Sequence, residues 1–197
     1  MPETKSVEIK KALSYGWEAI SNNFWYLVGT GLIMTIVSSV GSGDVNDQST
    51  TRSLIGFILS AWITAGFYKI TLSLYEEKKL AVTEIFTQFK YFWRILGASL
   101  LLAIIVIIGT LFFIIPGIYL ALRYQFTLAA IVDKDMSITE AMDYSSKLTD
   151  KVKLRLLAFG FAEFGVILLG VLALGLGVLV AMPVVWMANI YVYKKLQ

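Results

Sequence analysis

Apolar residues in this chain gather into six runs, at roughly 24–40, 54–75, 95–115, 118–132, 155–173 and 177–193, separated by polar or turn-forming stretches. About 20 apolar residues, rising about 1.5 Å each, cross a hydrocarbon core as a helix. The pattern predicts an all-α fold: a polytopic membrane bundle of six transmembrane helices forming one domain over residues 1–197. Alternating segments of about ten residues, the mark of an outer-membrane barrel, are absent.

The stretches between the runs carry a different periodicity. Ile9, Leu13, Trp17, Ile20 and Phe24 recur at helical steps, as do Ile85, Phe86, Phe89, Phe92 and Trp93 between Val82 and Arg94. A third stretch, "SITEAMDYSSKL", opens with Ser137 and Glu140 in capping-box spacing. Helices with aromatic residues on one face and lysines on the other suit the interfacial plane. These three are expected to cover the cytoplasmic end of the bundle.

A Pro-Gly pair interrupts the third and fourth runs. From Ile95 to Val132 a single helix would measure about 57 Å, far beyond a bilayer core of about 30 Å. Pro116 disfavours helical geometry at Ile115 and Gly117 accepts a turn, so a tight outer hairpin turn is expected at Pro116-Gly117. The spacing also suggests internal repetition. "FWYLVGTGL" at 24–32 resembles "FWRILGASL" at 92–100, and "VTEIF" at 82–86 resembles "ITEAM" at 138–142. A threefold parallel repeat of amphipathic helix plus hairpin follows, over approximately 5–75, 82–132 and 137–193.

Composition agrees with the membrane reading: 57% hydrophobic, 16% charged, mean hydropathy +0.73. Charge then fixes an orientation. Fourteen of the 17 Lys and Arg fall in one set of segments: Lys5, Lys10, Lys11, Lys78, Lys79, Lys90, Arg94, Lys134, Lys147, Lys151, Lys153, Arg155, Lys194 and Lys195. The opposite side has only Arg52. By the positive-inside rule both termini are cytoplasmic and the protein is multi-pass. The first run follows a charged helical segment, so it reads as a retained span and not a cleaved signal.

The block "IPGIYLALRYQFTLAAIVDKDMSITEAMDYSSKLT" resembles an uncharacterised bacterial family of six-span integral membrane proteins. That family is related to the membrane domain found fused to glycerophosphodiester phosphodiesterases. The likeness is carried by Ile115–Ile118, Tyr119–Phe126, Val132-Asp133, Glu140-Ala141, Ser145 and Leu148-Thr149. It implies the six-span fold and a bacterial cytoplasmic (inner) membrane. It implies no reaction, because the phosphodiesterase chemistry belongs to a separate soluble domain.

The chain has no histidine and no cysteine, which removes imidazole and thiolate catalysis, disulfides and their metal sites. No phosphate-binding loop, H-E-x-x-H or nucleophile elbow is present. "GSGD" at Gly41–Asp44 lies in a loop, and no run has a central aspartate to pair with it. No cofactor, catalytic residue or nucleic-acid partner is therefore expected. Charges inside membrane runs remain the place to look for function. Lys69 is near enough to its run's end to snorkel. Arg123 and Glu163 sit deeper, and an Arg123–Glu163 ion pair is expected, flanked by Tyr119 and Thr127 at i−4 and i+4 of Arg123. Gly160 and Gly170 are expected to bring a helix close to Glu163. A hydroxyl stripe, Ser60, Thr64, Tyr68, Thr71 and Tyr75, runs along the second span and is expected mainly to bond its own helix carbonyls. Asn189 reads as interhelical glue.

Two roles fit. One is a non-enzymatic scaffold, regulatory or assembly component of the cytoplasmic membrane, working with the lipid bilayer and a protein partner or as a homo-oligomer. The other is a small transporter or channel for a lipid or amphiphilic molecule, with bound lipid near Arg123 and Glu163.

Overall fold

A computed structural model describes residues 6–41, 50–78, 81–173 and 177–197. Among them there is no strand, and the helices run in the order α1 (Ile9–Asn22), α2 (Phe24–Gly41), α3 (Thr50–Tyr75), a short 3-10 turn (Val82–Phe86), α4 (Phe89–Phe112), α5 (Ile114–Tyr124), α6 (Thr127–Lys134), α7 (Ile138–Thr149), α8 (Lys153–Leu172) and α9 (Val178–Leu196). Most of the "GSGD" loop and most of the "LGLG" turn lie outside the described residues.

Every apolar run became helix, but not every run reads as a free-standing span. Among the described residues, four segments are long and apolar enough to cross a membrane: Leu54–Tyr75 in α3, Phe89–Phe112 in α4, Ile114–Lys134 in α5 plus α6, and Lys153–Leu172 in α8. A fifth arises if α1 and α2 count together, although they meet at 101°. The last run, α9, differs from α4 and α8. It carries Asn189, two terminal lysines and Pro183, and Ala181, Val184, Val185, Met187, Ala188, Ile190 and Val192 are all buried. It is the central helix, packed by α1, α2, α3 and α8. By contrast α4 and α8 leave Ile107, Leu111, Leu154 and Phe161 well exposed, the surface a lipid-facing helix presents.

Helix α1 does not lie over the end of the bundle as the pattern suggested. Its most extensive partner is α9, and the contact is close enough that a Cβ on Gly16 would meet the Val184 carbonyl oxygen at 2.2 Å. The expected amphipathic helix over 82–94 is also different. It is a five-residue 3-10 turn followed by the first turns of α4, with Ile85 fully buried against α3. Only α7 forms as the sequence indicated, with the Ser137 N–H donating to Glu140 Oε2 at 2.9 Å. These hydrogen bonds, from the Ser137 side chain first, hold the Glu140 carboxyl below its ordinary range. The expected threefold repeat would place a like short element before each pair of apolar helices. The short elements are nevertheless an α-helix, a 3-10 turn and an α-helix, so "VTEIF" and "ITEAM" are not built alike.

The hairpin between the third and fourth runs exists, but Pro116-Gly117 is not its turn. The chain reverses at Phe113, whose φ of −163° and ψ of 147° are extended. Pro116 sits in the first turn of α5, where a missing N–H leaves no bond unmade. Gly117 serves a close approach: a Cβ there would lie 2.1 Å from Thr110 Oγ1 and 2.9 Å from Thr110 Cα. A single extended residue reverses the chain, and the Pro-Gly pair lets α4 and α5 touch directly below it.

One end of the bundle gathers the charges. Asp135, just past α6, binds Arg94 at 2.5 Å and Lys90 at 3.4 Å, both from the start of α4. The hydrogen bond from Arg94, then that from Lys90, holds the Asp135 carboxyl below its usual range. Beside it Asp133 binds Lys194 of α9 at 2.6 Å, and Lys194 reaches Glu76 after α3 at 3.4 Å. Residues that the charge pattern assigned to one side, Lys90, Arg94 and Lys194, thus do converge.

Candidate functional site: a cavity at a broken helix

The apolar run 118–132 was expected to be one continuous helix, and no proline or glycine interrupts it between 118 and 132. It breaks all the same. Gln125 and Phe126 form a turn between α5 and α6, with Phe126 at φ −95° and ψ 5°. A break within a span frees backbone groups that lipid cannot satisfy, so each needs a protein partner. Partners are present for the Phe126 N–H and for the Arg123 and Tyr124 carbonyls. The Phe126 N–H donates to Ser145 Oγ of α7 at 3.2 Å, and the Ser145 hydroxyl donates to the Arg123 carbonyl at 3.0 Å. Thr127 Oγ1 donates back to the Tyr124 carbonyl at 2.8 Å. Thr149 Oγ1 lies 3.2 Å from the same Arg123 carbonyl. Ser145, Thr149 and Thr127 are all fully buried. The signal in the sequence was present but displaced by some 20 residues: it is the Ser145/Thr149 pair on one face of α7, not anything in the broken segment.

A cavity of about 260 Å³ opens at this break. Gln125, Phe126 and Ala129 form one wall, Thr64, Phe67, Tyr68 and Thr71 of α3 another, and Trp186, Asn189, Ile190 and Tyr193 of α9 a third, with Met34 of α2 closing it. No charged side chain lines it. Three of its polar lining side chains are bonded to protein. The Thr71 hydroxyl faces the Phe67 carbonyl at 3.0 Å, Asn189 Nδ2 donates to the Val185 carbonyl at 3.1 Å and to Glu163, and the Tyr193 hydroxyl donates to Asp133 Oδ2 at 3.0 Å. The Thr64 and Tyr68 hydroxyls face the cavity, and Gln125 Nε2 is enclosed and has no partner among the described residues.

The four residues expected to form an intramembrane ion-pair site are dispersed. Arg123 points to α7, where its Nε donates to Ser146 Oγ at 2.8 Å. Glu163 of α8 instead accepts from Asn189 of α9. Lys153 Nζ lies 5.0 Å from the Tyr119 ring centroid. Thr127 turns to its own backbone. No ion pair joins Arg123 to Glu163. The Asn189 amide serves Glu163 and the Ser146 hydroxyl serves Arg123, so each has a neutral partner without the two charges meeting. Of the glycines expected beside Glu163, Gly170 packs within 2.9 Å of Ala181 for an added Cβ, whereas Gly160 has open space. Asn189 is interhelical glue as expected. The hydroxyl stripe divides: Ser60 and Thr71 bond their own carbonyls, Thr64 and Tyr68 face the cavity, and Tyr75 packs on Tyr15 at 5.4 Å.

This separation has a direct consequence for Arg123→Leu and Glu163→Leu. The single changes are expected to add when combined, to within about 0.5 kcal/mol, as independent sites do. Unfolding of the three variants in one detergent measures it; a double variant more stable than the sum by more than that would restore the ion pair.

Comparison with other proteins adds one relative. Over 140 residues, 71% of this chain, the sequence is 25% identical to an uncharacterised protein of Mycobacterium tuberculosis (strain ATCC 25618 / H37Rv). The match spans 43% of that relative's length. No family model matches the chain, and no solved structure does.

Proposed function

We propose that this chain is a non-enzymatic, multi-pass protein of a bacterial cytoplasmic membrane that holds a small amphiphile inside its bundle, as a carrier or channel does. The observation that carries this reading is the cavity at the α5–α6 break. Helices interrupted near the middle of a span, with irregular backbone lining a cavity, are how membrane proteins build binding sites among apolar helices. The walls suit an amphiphile: Phe67, Phe126, Trp186 and Ile190 supply apolar surface, and Gln125, Thr64 and Tyr68 supply polar points. In this reading α2 and α9 complete six spans, and the Lys90, Arg94 and Lys194 end, with both termini, is cytoplasmic. The likeness to the six-span family, through Ile115–Ile118 and Val132-Asp133, belongs to the same proposal.

The scaffold role draws less support. It calls for an apolar surface beyond what lipid covers, and in this reading lipid covers the exposed faces of α4 and α8. The test is to purify the chain under lipid-preserving conditions and quantify what small molecules come with it. Ala129 is buried in the cavity wall, so Ala129→Phe fills the space. A near-stoichiometric amphiphile that falls at least fivefold in Ala129→Phe, with size-exclusion behaviour and helicity unchanged, is the expected result. Equal recovery from both proteins overturns the reading.

A further inference from the structure

Arg123 lies inside the Ile114–Lys134 segment and meets no carboxylate among the described residues. A guanidinium carried within a span is costly unless something shares its charge. Its Nε donates to Ser146 Oγ at 2.8 Å, so a neutral hydroxyl takes one of its five N–H donors. The two Nη nitrogens have no acceptor among the described residues, and neither is closed off from the surface, so a bound group can reach them.

A second cation joins it. Tyr119 stands one helical turn before Arg123 on the same face of α5. Lys153 Nζ, from the first residue of α8, sits 5.0 Å from the Tyr119 ring centroid. The Lys153 side chain is only 21% exposed, whereas its one carboxylate, Asp150 at 3.4 Å, is 63% exposed, a contact that neutralises little. Lys151 and Arg155 on either side of Lys153 are exposed cations. The junction of α5 with α7 and α8 therefore carries more positive charge than Asp150 offsets. Exposed apolar side chains adjoin both cations, Ile118 beside Tyr119 and Leu154 beside Lys153. A forked guanidinium and an ammonium together suit phosphate oxygens, and basic sites between membrane helices are how such proteins take anionic headgroups.

We infer that the α5–α7–α8 junction binds the phosphate of an anionic phospholipid, held by Arg123 and Lys153, with its acyl chains along Ile118 and Leu154. The inference shares the membrane placement of the reading above and needs nothing of the cavity. Free phosphate has the same chemistry, and the experiment separates the two sources.

The experiment is native mass spectrometry of the full, detergent-solubilised chain titrated with phosphatidylglycerol and with phosphatidylcholine of the same acyl chains. Wild type should bind phosphatidylglycerol about tenfold more tightly, the scale of two cations facing one net negative charge. Arg123→Gln and Lys153→Gln should each lose about fivefold for phosphatidylglycerol and little for phosphatidylcholine. Lys10→Gln, which removes an exposed cation of α1, should bind both as wild type does. Lys153→Gln changes only the first residue of α8, so the test stands even where Arg123→Gln fails to fold. Millimolar inorganic phosphate that displaces phosphatidylglycerol puts a free phosphate at the same two cations; no displacement identifies the headgroup as the ligand, and either result upholds the anion site. Equal affinity of wild type for the two lipids overturns the inference, as does a folded Arg123→Gln or Lys153→Gln that loses no more than Lys10→Gln. Ala129→Phe should bind phosphatidylglycerol as wild type does, so failure of the cavity reading is distinguishable from failure here.

Discussion

Asp133→Ala is expected to destabilise the protein by about 3–5 kcal/mol, the largest effect of any single polar substitution in this fold. Asp133 ends α6 with its side chain only 10% exposed, and the Lys194 it binds at 2.6 Å is 15% exposed. Its second oxygen takes the Tyr193 hydroxyl and Gln197 Nε2, each at 3.0 Å. One carboxylate therefore ties α6 to three side chains near the end of α9. Removing it leaves a largely buried ammonium whose remaining partner, Glu76, is at 3.4 Å and nearly half exposed. Burial alone would lower the Lys194 pKa, but the hydrogen bond and charge of Asp133 outweigh it and hold the ammonium above its ordinary value. Lys194→Met should cost less, because Asp133 keeps two neutral donors. The double variant should cost clearly less than the sum of the singles, because the stranded charge is gone. Chemical unfolding in a single detergent measures all three; additivity to within about 0.5 kcal/mol would show that the pair does not act as one unit.

The elements were more legible in the sequence than the site. Apolar runs dictate helices in any protein interior or membrane, so each run is helical, the fourth in two pieces, and the Ser137–Glu140 cap placed the start of α7. Hydropathy does not distinguish a helix wrapped by protein from one wrapped by lipid. That is why the last apolar run, α9, emerges buried at the centre, and why α1 packs along it instead of covering an end. Pro116 and Gly117 carried a real signal with two possible causes, turn or close approach, and local residue preferences favoured the wrong one. Arg123 and Glu163 were recognised as charges in need of partners. Their partners, Ser146 and Asn189, lie 23 and 26 residues away in sequence and are set by how helices rotate, which periodicity does not encode. Val132-Asp133 was visible only as part of a resemblance, with nothing to show that Asp133 would clamp α9. Gln125 gave no sign at all: it lies in a turn whose neighbouring backbone groups bond Ser145 and Thr149 of α7.

Ser145→Ala with Thr149→Ala is the second large effect expected, and it tests whether α7 makes that break. Ser145 Oγ both accepts the Phe126 N–H and donates to the Arg123 carbonyl, so Ser145→Ala strands a buried backbone donor at about 1–3 kcal/mol. Thr149 shares one proton among the Arg123, Ser145 and Ser146 carbonyls, at 3.2, 3.0 and 3.3 Å, so Thr149→Ala alone should cost less. Each hydroxyl backs up the other at Arg123. Only the double variant removes both donors from that carbonyl, and its loss should exceed the sum of the singles. A second readout separates a local role from general weakening. With no cap, the cheapest way to satisfy Arg123 and Phe126 is to close the turn into continuous helix, which rotates Gln125 away from the cavity. The double variant should then lose whatever ligand Ala129→Phe loses, while Ser146→Ala, which touches only the Arg123 side chain, should keep it. A double variant that is weakened additively and still holds its ligand would mean that the break is set by α5 and α6 themselves, and that α7 only covers it.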